Sequence, residues 1–132
     1  MALALALLAG CEPSGQVRPG DPELVKAAQK IFATRCATCH GERGRGDGPV
    51  GRGLWPRPRD FTDAAWQASV DDDRLRAVIV GGGAAVGLST HMQANPDLAN
   101  SPVLVGEIVA IVRNFALGHV EKSMSETTGE KR

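Results

Sequence analysis

The chain has 132 residues, of which 42% are hydrophobic and 23% charged, while aromatic residues make up only 4% and tyrosine is absent. Fifteen basic side chains balance fifteen acidic ones, which excludes nucleic acid as a bulk electrostatic partner. The length fits one domain, and so few aromatics leave a thin core that a buried apolar cofactor would complete.

The first ten residues, Met1 to Gly10, form an apolar run too short to span a bilayer and ending in small residues, as the hydrophobic part of a signal peptide does. Leu8-Ala9-Gly10-Cys11 resembles the bacterial lipobox, in which the cysteine is diacylated and the preceding peptide removed. A plain secretory signal with an incidental Cys11 is the alternative. No basic n-region precedes the run, so a translation start further upstream is expected. Residues 11–21 are rich in Pro and Gly with little to bury, and read as a flexible tether.

Asp21 is a candidate cap, Pro22 a first helical residue and Glu23 a favourable first-turn acid. Leu24, Ala28, Ile31, Phe32 and Arg35 recur at helical spacing, so Pro22 to about Arg35 is expected to be an amphipathic helix. It leads into Cys36-Ala37-Thr38-Cys39-His40, the spacing of c-type haem attachment. Two thiols one helical turn apart reach two neighbouring vinyl groups on one porphyrin edge, and His40 falls beneath the ring as proximal iron ligand. A redox dithiol or half of a zinc site also uses CxxC. However, no β-strand pattern precedes Cys36, and zinc would have to recruit His91 or His119 alongside the adjacent Cys39 and His40.

From this motif onward the chain resembles the cytochrome c family, over residues 22–118. The resemblance implies an all-α, class I cytochrome c fold, with about three to five helices and long Gly/Pro-rich loops around one covalently attached haem c. Gly41 to Gly53 holds six glycines in thirteen residues; in the family such a loop covers one haem edge, and a proline carbonyl there accepts the proximal histidine's second N–H. Pro49 is the matching position. Trp55-Pro56-Arg57-Pro58-Arg59 resembles the segment that approaches the haem propionates, so Trp55, Arg57 and Arg59 are candidate partners of those carboxylates, or else surface arginines around a core tryptophan.

A second helix is expected after Val70, with Asp71, Asp72 and Asp73 at its N-terminus, an apolar face of Leu75, Val78 and Ile79, and Gly81-Gly82-Gly83 as its end. The segment Ala84 to Gln93 resembles the family's methionine loop and implies Met92 as sixth iron ligand. His91 is the alternative, and Gln93 stands where the family usually has proline. Ser101 caps and Pro102 begins the last helix, whose stripe is Leu104, Ile108, Ile111, Val112 and Phe115, with Gly118 closing it. The family's glycine–aromatic helix crossing reads Ala28 and Ile111 here. Residues 119–132 are polar, and a disordered tail is expected.

Charge is unevenly placed. Arg35 to Arg59 carries six arginines against Glu42 and Asp47, whereas Asp60 to Asp73 carries five aspartates and no basic residue. Solvated loops are one reading; a polarised surface that orients a redox partner is the other. The resemblance implies a mono-haem electron carrier with no catalytic residues and no small-molecule substrate. It would pass single electrons between redox proteins on the periplasmic side of a bacterial membrane, held there by lipid on Cys11. Two alternatives stand beside it. One is an electron-entry subunit of a larger membrane oxidoreductase; the other is a gas- or peroxide-binding haem protein, which needs iron without a sixth protein ligand.

Overall fold

The computed structural model of the chain describes residues 18–128. The signal run, Cys11 and most of the tether therefore lie outside the described residues, as do the last four. Among the described residues the fold is helical without strands. Helix α1 spans Pro22–Ile31, with the Asp21 carboxylate accepting from the Glu23 N–H at 3.0 Å and Pro22 occupying the first turn.

The amphipathic pattern continues past Ile31, but not as an α-helix. Phe32–Cys36 winds as a π-helix in which the Ala37 N–H reaches back to the Phe32 carbonyl, and α2, Ala37–His40, follows directly. Such wide turns gather at functional positions because they re-aim the residues after them. Here they lie immediately before the CxxCH turn.

Two short 3-10 turns, Gly51–Gly53 and Pro96–Leu98, punctuate the loops. Helix α3, Ala64–Ser69, is an element that periodicity alone does not announce; Asp63 caps it by accepting from the Trp66 N–H at 3.1 Å. Helix α4, Asp72–Ala85, starts where expected, capped by Asp71 through the Arg74 N–H at 2.7 Å. Its glycines do not simply terminate it. Gly82, at φ 75 and ψ 174, breaks the helix internally before one more turn. Helix α5, Pro102–Thr128, passes through Gly118 instead of stopping there. A single glycine weakens a helix by only about 1 kcal/mol and does not end one unless the chain takes a left-handed turn. The helix thus runs on into the segment expected to be a disordered tail.

The core lies between α1, α4 and α5. Ala28 is fully buried and Ile108 is 1% exposed, with Val105, Val109 and Val112 beside them and Ile111 packed at the edge. Helix α1 packs directly on α5, with Ala28 fully buried. Four of the five aromatic side chains pack in one cluster: ring centroids are 5.4 Å apart for Phe32–Phe115, 6.1 Å for Phe61–Phe115 and 5.6 Å for Phe61–Trp66. Arg113 on α5 ties down the α3–α4 junction. Its guanidinium donates to the Gln67 and Val70 carbonyls, the Gln67 side chain and the Asp72 carboxylate at 2.7–2.9 Å. No described helix is long and apolar enough to cross a membrane.

Candidate haem site

A helix as short as α2 leaves its last carbonyls without intrahelical donors, and the glycine-rich loop supplies them. The N–H groups of Val50, Gly48 and Gly46 donate to the carbonyls of Thr38, Cys39 and His40 at 2.9, 3.1 and 2.8 Å. Glycine is required by this close approach: a Cβ on Gly48 would sit 2.5 Å from the carbonyl oxygens of both Ala37 and Thr38. The Phe61 N–H then donates to the Gly44 carbonyl at 2.7 Å, which draws the chain before it beneath His40.

That path corrects the expected brace on the histidine. Pro49 is exposed, because the loop turns its amides and not Pro49 toward α2. The His40 Nδ1–H instead donates to the Arg59 carbonyl at 3.1 Å. A carbonyl only accepts, so the bond fixes the proton on Nδ1 and leaves Nε2 as the nitrogen free to bind iron. Phe61 stacks on the imidazole with centroids 4.3 Å apart. His40 is 8% exposed. Burial lowers its pKa below the usual imidazole value, the Arg59 hydrogen bond opposing in part, so the ring is held neutral, as a ligand must be.

Cys36 and Cys39 form no disulfide and are half-buried. Burial is the main cause that pushes the Cys36 thiol up to about 11; Arg35 opposes it and Cys39 adds to it. A redox-active dithiol needs a depressed thiol pKa, so this site is poorly suited to that chemistry. Among the described residues no group of three or more His, Cys, Asp or Glu side chains comes together to hold a metal ion.

A cavity of about 460 Å³ opens beside His40, within the range of about 300–1,000 Å³ typical of cofactor sites. Helix α4 lines it with Leu75, Val78 and Ile79, and α3 with Trp66 and Ser69, followed by Val70. Met92 and Leu88 come from the loop after α4, and Arg59 and Arg74 add two cations, and Asp71 one anion, to an otherwise largely apolar wall. His91 is exposed, its N–H donating to the Ser89 hydroxyl at 3.2 Å, and it does not line the cavity.

Of the residues singled out in the sequence, the fold thus brings His40, Arg59 and Met92 to one cavity, with Cys36 and Cys39 on the helical turn that carries His40. Trp55, 86% exposed, and Arg57, also exposed, lie away from it. The tryptophan at the cavity is Trp66, under the Arg59 guanidinium at 5.6 Å from the ring centroid. Its signal is Asp63, which caps α3 and so starts the turn that carries Trp66. Arg74 is also at the cavity. It follows capping Asp71 by three residues and donates to the Val86 carbonyl at 2.7 Å, which holds it against the start of the methionine segment.

These residues fit a covalently held haem. Two thiols share a helical turn, a neutral imidazole has its far nitrogen fixed, a thioether lines the same cavity, and two cations match two carboxylates. Comparison with known proteins points the same way. Residues 25–98 match the family described as Cytochrome c. The chain is 36% identical over 64 residues to the cbb3-type cytochrome c oxidase subunit FixP of Azorhizobium caulinodans, across 48% of this chain and 20% of the relative. It is 32% identical over 57 residues to subunit FixPc of Rhizobium leguminosarum bv. viciae, across 43% and 18%. The chain therefore spans about a fifth of the length of these curated relatives. Among solved structures it is similar to the KustC0563 c-type cytochrome, with TM-score 0.50 and 31% identity over 67% of this chain and 95% of that one. The chain belongs to the cytochrome c family, and its cofactor is covalently bound haem c.

Proposed function

We propose that this domain transfers single electrons, with Cys36 and Cys39 as the thioether attachments, His40 as proximal ligand and Met92 as the sixth ligand. The observation that carries the reading is one cavity lined by both His40 and Met92, with the His40 Nδ1–H committed to the Arg59 carbonyl. Haem c, when bound, supplies the one-electron redox chemistry. The chain's own residues tune and protect it. The Nδ1–H bond to Arg59 orients the imidazole and raises its basicity as a ligand. A neutral, soft thioether favours the reduced metal relative to a second imidazole. Leu75, Val78 and Ile79 keep water off the cavity wall, and Arg59 and Arg74 are placed to neutralise carboxylates at its rim. Iron held by both His40 and Met92 would keep no position open to a substrate.

Optical spectra of the oxidised and reduced protein, compared with Met92→Ala, test the assignment. Loss of the sulfur–iron charge-transfer band in the variant is expected, together with rapid carbon monoxide binding once reduced. An unchanged band would move the ligand to His91 or elsewhere. Rapid carbon monoxide binding by the unmutated reduced protein would favour a gas-binding role instead.

The relatives favour a narrower second reading. Both are named as cbb3-type oxidase subunits, which supports the domain as the electron-entry module of a membrane oxidoreductase; a periplasmic position and lipid on Cys11 join that reading from the Leu8–Cys11 segment alone. Purification from membranes with a stoichiometric partner supports it, provided that Cys11→Ser releases the protein from the membrane. A protein that purifies alone and stays soluble returns the reading to a free carrier.

A further inference from the structure

The break in α4 at Gly82 exchanges two hydrogen-bond partners, and the exchange grips the segment that carries Met92. In an uninterrupted helix the Gly83 N–H would donate to the Ile79 carbonyl four residues back. Here it donates to the Met92 carbonyl at 2.9 Å. The Ile79 carbonyl is left to the Asn95 side-chain amide, which donates to it at 2.8 Å, while the Asn95 backbone N–H donates to the Val80 carbonyl at 2.9 Å. The approach is close enough to need glycine: a Cβ on Gly82 would lie 2.8 Å from both the Met92 carbonyl oxygen and the Ala94 nitrogen, and one on Gly83 would lie 3.3 Å from the Met92 Cβ. Met92 is therefore held at its own carbonyl by Gly83 and three residues on by Asn95.

We infer that Asn95 is the positioning residue for Met92, fixing the depth at which its thioether meets the cavity; the inference rests on Met92 as the iron ligand. Asparagine suits the place because one side chain must donate to a helix-end carbonyl and accept as well. The Asn95 Oδ1 takes the Arg35 guanidinium at 3.3 Å, from the residue just before Cys36. Aspartate would keep that acceptor and lose the donor, leaving the part-buried Ile79 carbonyl opposite a carboxylate. Alanine would lose both.

The test uses the haem-loaded protein and four variants. Met92→Ala is expected to lose the charge-transfer band. Asn95→Asp and Asn95→Ala are expected to retain covalent haem, show a weakened band, and bind carbon monoxide after reduction about tenfold faster than the unmutated protein, the scale of one part-buried hydrogen bond. Val105→Ala, a core truncation away from the cavity, is expected to leave that rate unchanged. If the Asn95 variants bind at the unmutated rate while Met92→Ala loses the band, the inference falls and the ligation stands. If Met92→Ala keeps the band, the ligation reading falls and takes the inference with it. If Val105→Ala accelerates binding equally, general loosening explains the effect and the inference falls. Should the Asn95 variants not accumulate, amide exchange in the unmutated protein decides. Its Asn95 N–H should stay slow when added imidazole displaces the sixth ligand, and exchange at the rate of an exposed loop amide would overturn the inference.

Discussion

On the His40 side of the cavity, the loop from Gly41 to Gly53 turns three amides onto the last carbonyls of α2, and Arg59 adds a carbonyl beneath the imidazole. On the Met92 side, Gly83 gives its amide to the Met92 carbonyl, Asn95 bonds back to the Ile79 and Val80 carbonyls, and Leu88 and Arg74 tie the start of the segment through Gly83 and Val86. Both sides use glycine for close backbone approach, but for different ends. The first completes a helix terminus, so His40 sits on a fully bonded frame with Phe61 stacked on its ring. The second interrupts a helix and spends the freed amide on a loop. A ligand on a completed helix end is expected to stay, and one on a loop docked against a broken helix is expected to leave first. The cavity thus has a fixed wall and a yielding one, both set by where the glycines fall.

The largest break in that comparison is expected from Gly48→Ala. The added methyl meets two α2 carbonyls at 2.5 Å, and the loop cannot back away without giving up the bonds to Thr38, Cys39 and His40. A destabilisation of about 3 kcal/mol is expected, with sharply reduced yield of haem-loaded protein. Urea denaturation and the haem-to-protein absorbance ratio measure both. Gly82→Ala should cost less, about 2 kcal/mol, for placing a side chain at φ 75 and ψ 174, yet should abolish the charge-transfer band while the haem stays attached. A Gly82→Ala protein that keeps the band, or is less stable than Gly48→Ala, would remove the distinction between the two walls.

What could be read in advance from residue order follows the same division. Local signals transferred well. Asp21 with Pro22, and the aspartates after Val70, marked helix starts that α1 and α4 occupy, because capping is decided within four residues. The CxxCH turn carried its own meaning for the same reason. Signals that depend on the course of the chain did not transfer. Pro49 was the expected brace for His40, but Gly46, Gly48 and Val50 are consumed in capping α2, and the loop therefore presents Arg59. Trp55 and Trp66 look alike in sequence; only the cap at Asp63 and the packing of Phe61 decide that Trp66 enters the cavity and Trp55 faces solvent. Gly81-Gly82-Gly83 looked like a stop, since a run of glycines does not reveal that a distant methionine will take one of its amides.

Arg35 is where the two walls meet. Its guanidinium donates to the Asp97 carboxylate at 2.9 and 3.0 Å and to the Asn95 side chain at 3.3 Å, from the residue next to Cys36. Its position suggests a strut, but exposure argues for a small effect: the two charged side chains are 44% and 55% exposed. Pairs open to water contribute about 0.2–1 kcal/mol and are screened by salt. Arg35→Gln removes the charge and retains a hydrogen-bonding end, so a loss of about 0.5 kcal/mol at low ionic strength is expected, shrinking as salt is raised. Denaturation at two salt concentrations measures it. The charge-transfer band should hold, because Asn95 keeps both of its bonds to α4 without Arg35. A large, salt-independent loss, or a band lost with the arginine, would mean that the yielding wall is held from the fixed one and has no independent grip through Asn95.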